Sequence, residues 1–290
     1  MHIPAELLSG AVCPVTATLS IAGVGLSAAA LLRHPERTPR PADFALTGAT
    51  VFTLQMLNYP LPGGLSGHLL GGTLAAALLG LPGGILCMAL VLLVQTLLFA
   101  DGGLGMLGAN TLNMALIGTA LGGLVLRALA RAPRHLAYAF AGLCSVLGAT
   151  LALCAELALC GKLTLGLGAT LLGTHAALAT LEGLVTLALL SIIPARQSDA
   201  PLTRRAMVAL SSILLAALLL TPLASAFPDA LEWSLARFSL LPGAPAFTGA
   251  PFADYAIAAV PASLAALLCA LVGCAVIAMA ALPLRALRKH

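Results

Sequence analysis

Leu81-Pro82-Gly83-Gly84-Ile85-Leu86-Cys87-Met88-Ala89-Leu90-Val91-Leu92-Leu93-Val94-Gln95-Thr96-Leu97-Leu98-Phe99-Ala100 contains no charged side chain. A helix needs about 20 mostly apolar residues to cross a bilayer, and this run supplies them. Comparable runs recur on both sides of it. Toward the amino terminus they cover Val12 to Leu32, Asp43 to Leu57, and the stretch from Ser66-Gly67-His68 to Gly80. Toward the carboxyl terminus they cover Leu107 to Leu129, Leu136 to Leu159, Leu165 to Ile193, Ala206 to Leu223 and Ala256 to Leu282. The sum is about nine spans. Composition agrees: the 290 residues are 60% hydrophobic and 8% charged, where a soluble domain carries about 25% charge. The expected fold is all-α, a polytopic membrane helical bundle.

Basic residues set the orientation of such a bundle. With nine alternating spans and the amino terminus outside, Arg33, Arg37, Arg40, Arg127, Arg131, Arg134, Arg196, Arg204, Arg205, Arg285, Arg288 and Lys289 all fall inside. Only Lys162 and Arg237 fall outside. The positive-inside rule thus predicts an outer amino terminus and a cytoplasmic carboxyl terminus. The net charge of +4 resides in these short loops, so the expected partner is membrane lipid and not nucleic acid. A polar break from Pro194 to Thr203, holding Arg196 and Asp199, reads as a linker between residues 1–195 and 196–290. Beyond it lies a long outer loop, Ala224 to Asp254, with the only tryptophan, Trp233.

Several chemistries are excluded. The seven cysteines form no C-x-x-C pair and read as small apolar residues. Gly161-Lys162-Leu163 lacks the hydroxyl residue after the lysine, and Glu156 stands where a phosphate loop needs glycine. The chain therefore has no nucleotide site of that kind. No H-E-x-x-H is present, and no internal repeat stands out. Gly23/Ser27 and Gly25/Ala29 are small-residue pairs that suit close helix packing, within the chain or against a partner.

The amino end is unusual. In Met1-His2-Ile3-Pro4-Ala5-Glu6-Leu7-Leu8-Ser9-Gly10 a histidine directly follows the initiator. The Met1 amine, the deprotonated His2 amide and His2 Nδ1 can close two fused chelate rings on one metal. Pro4, which has no N–H, ends the donor run. Three nitrogens in one plane suit Ni(II) or Cu(II). The stretch lacks a basic n-region, so no cleavable signal is expected, and His2 is too large to favour removal of Met1. The plain alternative is a frayed terminus. His68, after the glycines at 63, 64 and 67, stands at the expected start of a span on the same outer side, where it is either a fourth nitrogen ligand or a cap.

Polar side chains inside the apolar runs form a second group. Gln55, Asn58, Gln95, Asn110 and Asn113 are candidates for orienting the imidazoles, or for ordinary interhelical hydrogen bonds. The spacing of Asn110 and Asn113 puts them on one helix face. His175 and Glu182 lie two turns apart on one face, which suggests a paired structural or gating role. Glu156 is placed to pair with Lys162 at the rim, and Asp101 reads as a turn residue.

Four segments together are similar to a known family: Met1-His2-Ile3-Pro4; Gln55 through Gly72, containing Ser66-Gly67-His68-Leu69-Leu70-Gly71-Gly72; Val94 through Gly103; and Leu107 through Met114. They resemble the substrate-binding (S) component of cobalt/nickel energy-coupling factor transporters, the CbiM/NikM family, over roughly residues 1 to 195. The resemblance implies a metal held by Met1, His2 and His68, with Ni(II) or Co(II) as the transported substrate. It implies a transmembrane coupling (T) protein and cytoplasmic ATP-binding cassette ATPases as partners, and a bacterial inner-membrane location. Phe227-Pro228-Asp229-Ala230-Leu231-Glu232-Trp233 is similar to a Pro-Asp-Gly-Leu-Glu signature, and Ala250-Pro251-Phe252-Ala253-Asp254-Tyr255 to the motif after it. Both belong to a two-span accessory unit of the CbiN/NikN type, whose outer loop assists metal loading. Ala230 replaces that signature's glycine. Ala5-Glu6-Leu7-Leu8 departs from the family's Asp-Gly-Phe-Leu. The alternatives are an intramembrane metalloenzyme using His68, His175 and Glu182, or a gradient-driven cation carrier with Glu182 as its proton site.

Overall fold

The computed structural model describes residues 2–193, 200–241, 243 and 249–287. Met1, most of the linker with Arg196 and Asp199, and Arg288, Lys289 and His290 lie outside the described residues. The long helices are α1 (Val12–Arg33), α2 (Pro41–Met56), α3 (Gly72–Phe99), α4 (Leu104–Ala128), α5 (Arg134–Leu159), α6 (Leu165–Ile192), α7 (Arg204–Leu220) and α9 (Ala262–Ala280). A short α8 (Ala230–Arg237) lies between the last two. The only sheet among the described residues is a hairpin, β1 (Tyr59–Leu61) with β2 (Leu65–Gly67). Seven described helices are long and apolar enough to span a membrane. The 16-residue α2 is shorter.

α3 departs from the expectation of two separate spans, the first beginning near His68. His68 lies in an extended run after β2, and the helix starts only at Gly72. α3 breaks at Gly80, where φ is 74° and ψ 165°, a region open essentially to glycine alone. A Cβ built on Gly84 would lie 2.8 Å from the Ala76 nitrogen. In a straight helix residues 76 and 84 would be about 12 Å apart. The chain therefore reverses at Gly80, and the arms 72–79 and 81–99 lie side by side. The long outer loop also differs from expectation, since it folds locally into α8. Asp229 caps that helix by accepting from Glu232 N at 2.8 Å, while Glu232 accepts from Asp229 N, a capping box.

Backbone at 68–71 would be costly in a bilayer unless its polar groups were satisfied within the protein. Glu182 of α6 does this. Its two carboxylate oxygens accept from Leu70 N at 2.7 Å and Gly71 N at 2.9 Å. Both oxygens are thus engaged by the loop, so the expected pairing with His175 is not formed. Small residues seat α1 against α4: Gly23 meets Leu116, and Ser20 Oγ donates to the Gly108 carbonyl. Gly25 faces open space, so only one of the two small-residue pairs packs internally. α9 packs on α2, with Gly273 against Phe52 and Gly48 against Ile277.

Candidate metal-binding chamber

The amino-terminal segment folds back over the end of the bundle. Ile3, Leu7 and Leu8 are buried among Met106, Leu153, Leu157 and Leu231. Hydrogen bonds reinforce this apolar anchor. Ile3 N donates to Asn110 Oδ1 at 2.8 Å, Gly103 N donates to the Ile3 carbonyl at 3.2 Å, and Lys162 Nζ donates to the Leu7 carbonyl at 2.6 Å. Gly103 makes room for the segment, because a Cβ there would lie 2.8 Å from the Ala5 nitrogen. The segment from His2 to Leu8 is therefore docked on the bundle.

Docking brings His2 to His68. Their ring centroids are 5.5 Å apart and their planes are inclined by 23°. Both line a chamber of 510 Å³, together with Gln55, Asn58, Asp101 and Asp229.

The tautomer of each imidazole follows from its neighbours. The Leu70 carbonyl can only accept, so Gln55 turns its NH₂ toward it, at 2.7 Å. Gln55 Oε1 then accepts from Gln95 Nε2 at 2.9 Å, which turns Gln95 Oε1 to His2 Nε2 at 3.1 Å. The His2 proton therefore resides on Nε2, and Nδ1 carries a lone pair. In His68, Nδ1 donates to the Leu69 carbonyl at 3.0 Å, which leaves the lone pair on Nε2 when the ring is neutral.

Each lone pair faces a carboxylate. Asp101 Oδ1 lies 3.3 Å from His2 Nδ1, and Asp229 Oδ2 lies 3.8 Å from His68 Nε2. Burial pushes the His2 imidazole down to about 4, against the pull of Asp101, so His2 is neutral at ordinary pH. A neutral imidazole nitrogen opposed to a carboxylate is an electrostatic mismatch that a cation resolves. Asp229 and His68 face the same chamber, which is thus lined by both imidazoles and both of these carboxylates.

Other candidate residues lie elsewhere. Asn58 lines the chamber, and its Oδ1 is buried without a hydrogen-bond partner among the described residues. Asn113 does not share the face of Asn110. Thr111–Gly118 winds as a π-helix, whose wider turn breaks the expected spacing. Asn113 instead donates to Glu156 Oε2 at 2.8 Å. Glu156 is thereby engaged away from Lys162, contrary to the expected rim pair. His175 bonds through Nδ1 to the Leu171 carbonyl at 2.8 Å. Its Nε2 has no hydrogen-bond partner among the described residues, and the ring lines a separate 20 Å³ cavity beside His68 and Asp229. Asp101 is more than a turn residue, since it touches His2 and accepts from Tyr255 Oη at 2.6 Å. No grouping of three His, Cys, Asp or Glu side chains able to hold a metal occurs among the described residues.

Seven described membrane-length helices around a polar chamber make this a multi-pass membrane protein of the transport class. The chain belongs to the CbiM family, the cobalt uptake substrate-specific transmembrane region, whose family model matches residues 2–200. It is 40% identical over 202 residues to a chain described as a fused nickel transport protein, NikMN, of Archaeoglobus fulgidus, covering 69% of this chain and 67% of that one. A cobalt transport protein, CbiM, of Salmonella typhimurium is 46% identical over 89 residues, 30% of this chain and 36% of its own. The fused nickel transport protein NikMN of Rhodobacter capsulatus is 38% identical over 118 residues, and the match spans 34% of its length. A crystal structure of a truncated transition metal transporter superposes with a TM-score of 0.56 at 28% identity, covering 66% of this chain and 97% of that one.

Proposed function

We propose that this chain is the ion-capturing subunit of an ATP-driven importer of Ni(II) or Co(II). The observation that carries the reading is the approach of His2 to His68, 5.5 Å between rings, with both imidazoles lining one chamber. The ion is held by the Met1 amine, the amide nitrogen and Nδ1 of His2, and Nε2 of His68. Gln95 and Gln55 hold the proton of His2 on the far nitrogen. Asn110 holds Ile3 and so sets the depth of the chelate. A set of nitrogens near one plane favours Ni(II) over Co(II).

Nine crossings, with the amino terminus outside, agree with the placement of basic residues. In that topology the extended run 65–71 and the arm 72–79 make one crossing, and 81–99 makes the next. Residues 1–195 are the capturing unit and 196–290 the accessory unit. Lacking a phosphate loop, the chain draws its energy from a transmembrane coupling protein and a pair of ATP-binding cassette ATPases. A carrier driven through Glu182 fits less well, because both of its oxygens hold the 70–71 backbone.

Uptake of radioactive Ni(II) and Co(II) by cells expressing the chain tests this reading. Uptake is expected only when the coupling protein and active ATPases are co-expressed, and it is expected to fall to background in His2→Ala and His68→Ala. Equal uptake with a catalytically dead ATPase would contradict it.

A further inference from the structure

The region after the linker reaches the chamber at two points, and both have the same form. Asp229 divides its carboxylate: Oδ1 accepts from Glu232 N and caps α8, while Oδ2 faces His68 Nε2 at 3.8 Å. Asp101 is divided likewise: Oδ1 faces His2 Nδ1 at 3.3 Å, and Oδ2 accepts from Tyr255 Oη at 2.6 Å. One carboxylate thus stands before each imidazole, and a residue from the 196–290 region supplies or holds each one.

Neither contact is loose. The Asp229 backbone is tied to the strand before His68, where Ser66 N donates to the Pro228 carbonyl at 2.8 Å and Ser66 Oγ to the Phe227 carbonyl at 2.8 Å. Trp233 Nε1 donates to the Gly63 carbonyl at 3.1 Å, on the turn of the same hairpin. Tyr255 stacks on Phe99 at 4.6 Å with planes 14° apart, and Phe252 N donates to the Leu98 carbonyl. Phe99 lies two residues before Asp101, so the stack sets where the tyrosine hydroxyl meets that carboxylate.

We infer that Asp229 and Tyr255 are positioning residues of the ion site, each fixing where a carboxylate stands beside one imidazole nitrogen: Asp229 its own beside Nε2 of His68, and Tyr255 that of Asp101 beside Nδ1 of His2. The inference rests on the proposed site above. It assigns the region after the linker a direct part in site geometry, one residue for each imidazole. The carboxylates also lower the local potential where a divalent cation enters.

The test uses the purified full-length chain in detergent, titrated with Ni(II) and with Co(II) and followed by visible absorption. Asp229→Asn keeps a good helix cap while removing the charge. Tyr255→Phe keeps the ring stack while removing the hydroxyl. Each variant should weaken Ni(II) binding about tenfold or more and shift the bound-ion absorption band, with the ion-free melting temperature unchanged. Asp229→Glu should recover part of the lost affinity. Wild-type affinity and spectrum in either variant overturn the role of that residue and leave the site reading intact. A weakening that merely follows a lowered ion-free melting temperature overturns positioning in favour of a structural role. Absence of binding by the wild-type chain overturns the site reading, and this inference falls with it.

Discussion

His2 Nε2 and Gln95 Oε1 lie 3.1 Å apart, and the direction of that hydrogen bond is set two residues away, at a backbone carbonyl. Leu70 accepts from Gln55, Gln55 from Gln95, and Gln95 from His2. Reversing one amide would set donor against donor or acceptor against acceptor along the whole line. The relay thus places the proton of His2 on Nε2 and leaves Nδ1, the nitrogen beside Asp101, without it. It starts at Leu70, whose own amide is held by Glu182, so the two imidazole-bearing segments share one anchor.

Removing the middle of the relay tests its importance. Gln95→Leu fills similar space and cannot accept from His2. Ni(II) affinity should fall by about 10–100-fold, the range for removing a partner that orients a metal-bound histidine. Isothermal titration of the purified chain measures this, and unchanged affinity would show that the relay does not orient His2. Gln55→Leu should add little in the double variant, since the two act in series.

The titration of His2 gives an independent check. Its ordinary value of 6.5 is lowered to about 4 in the folded chain, chiefly by burial. Between those values the unfolded chain binds a proton that the folded chain does not. Acidification through that window therefore favours unfolding, and stability present above 6.5 is lost as pH falls toward 4. The ion-free wild type should show a steeper loss of melting temperature across this window than His2→Gln. Parallel curves would mean that the imidazole is not held neutral.

The reversal in α3 rests on Gly80. Alanine at φ 74°, ψ 165° incurs about 1–3 kcal/mol of backbone strain. Gly80→Ala should lower the melting temperature of the ion-free chain measurably, while leaving the visible spectrum of any bound Ni(II) unchanged, because Gly80 lies a helical arm away from His68. An unchanged melting temperature would indicate that the arms meet without this turn.

What could be read from the sequence was what depends on local composition. The uncharged run Leu81–Ala100 identified the membrane class, and the apolar runs located most of the helices closely, but the expected starts at Ser66 and Ala256 fell well before Gly72 and Ala262, where the helices begin. His2 and His68 stood out as candidates because their positions are chemically unusual, one near the start of the sequence and the other among glycines, and the fold brings the two rings together. Asp101 was not legible as a site residue, because an aspartate before two glycines looks like any turn until the amino-terminal segment packs on it. Glu182 was misread because two turns on one helix face suggest a pair, whereas the loop at 70–71 has two amide protons to satisfy inside the bundle. Asn113 was misread because an i, i+3 spacing assumes an α-helix, and the segment from Thr111 winds wider. The Asp229 contact joins regions that only the folded chain brings together.

The most direct measurement is a Ni(II) titration of two purified chains, the wild type and His2→Ala. The substitution keeps the terminal amine and the amide but removes the imidazole that closes the second chelate ring. The wild type should develop the visible band of planar, nitrogen-bound Ni(II) and saturate at one ion per chain, and His2→Ala should show neither. An identical band and affinity in both chains would contradict the amino-terminal chelate and, with it, the proposed site.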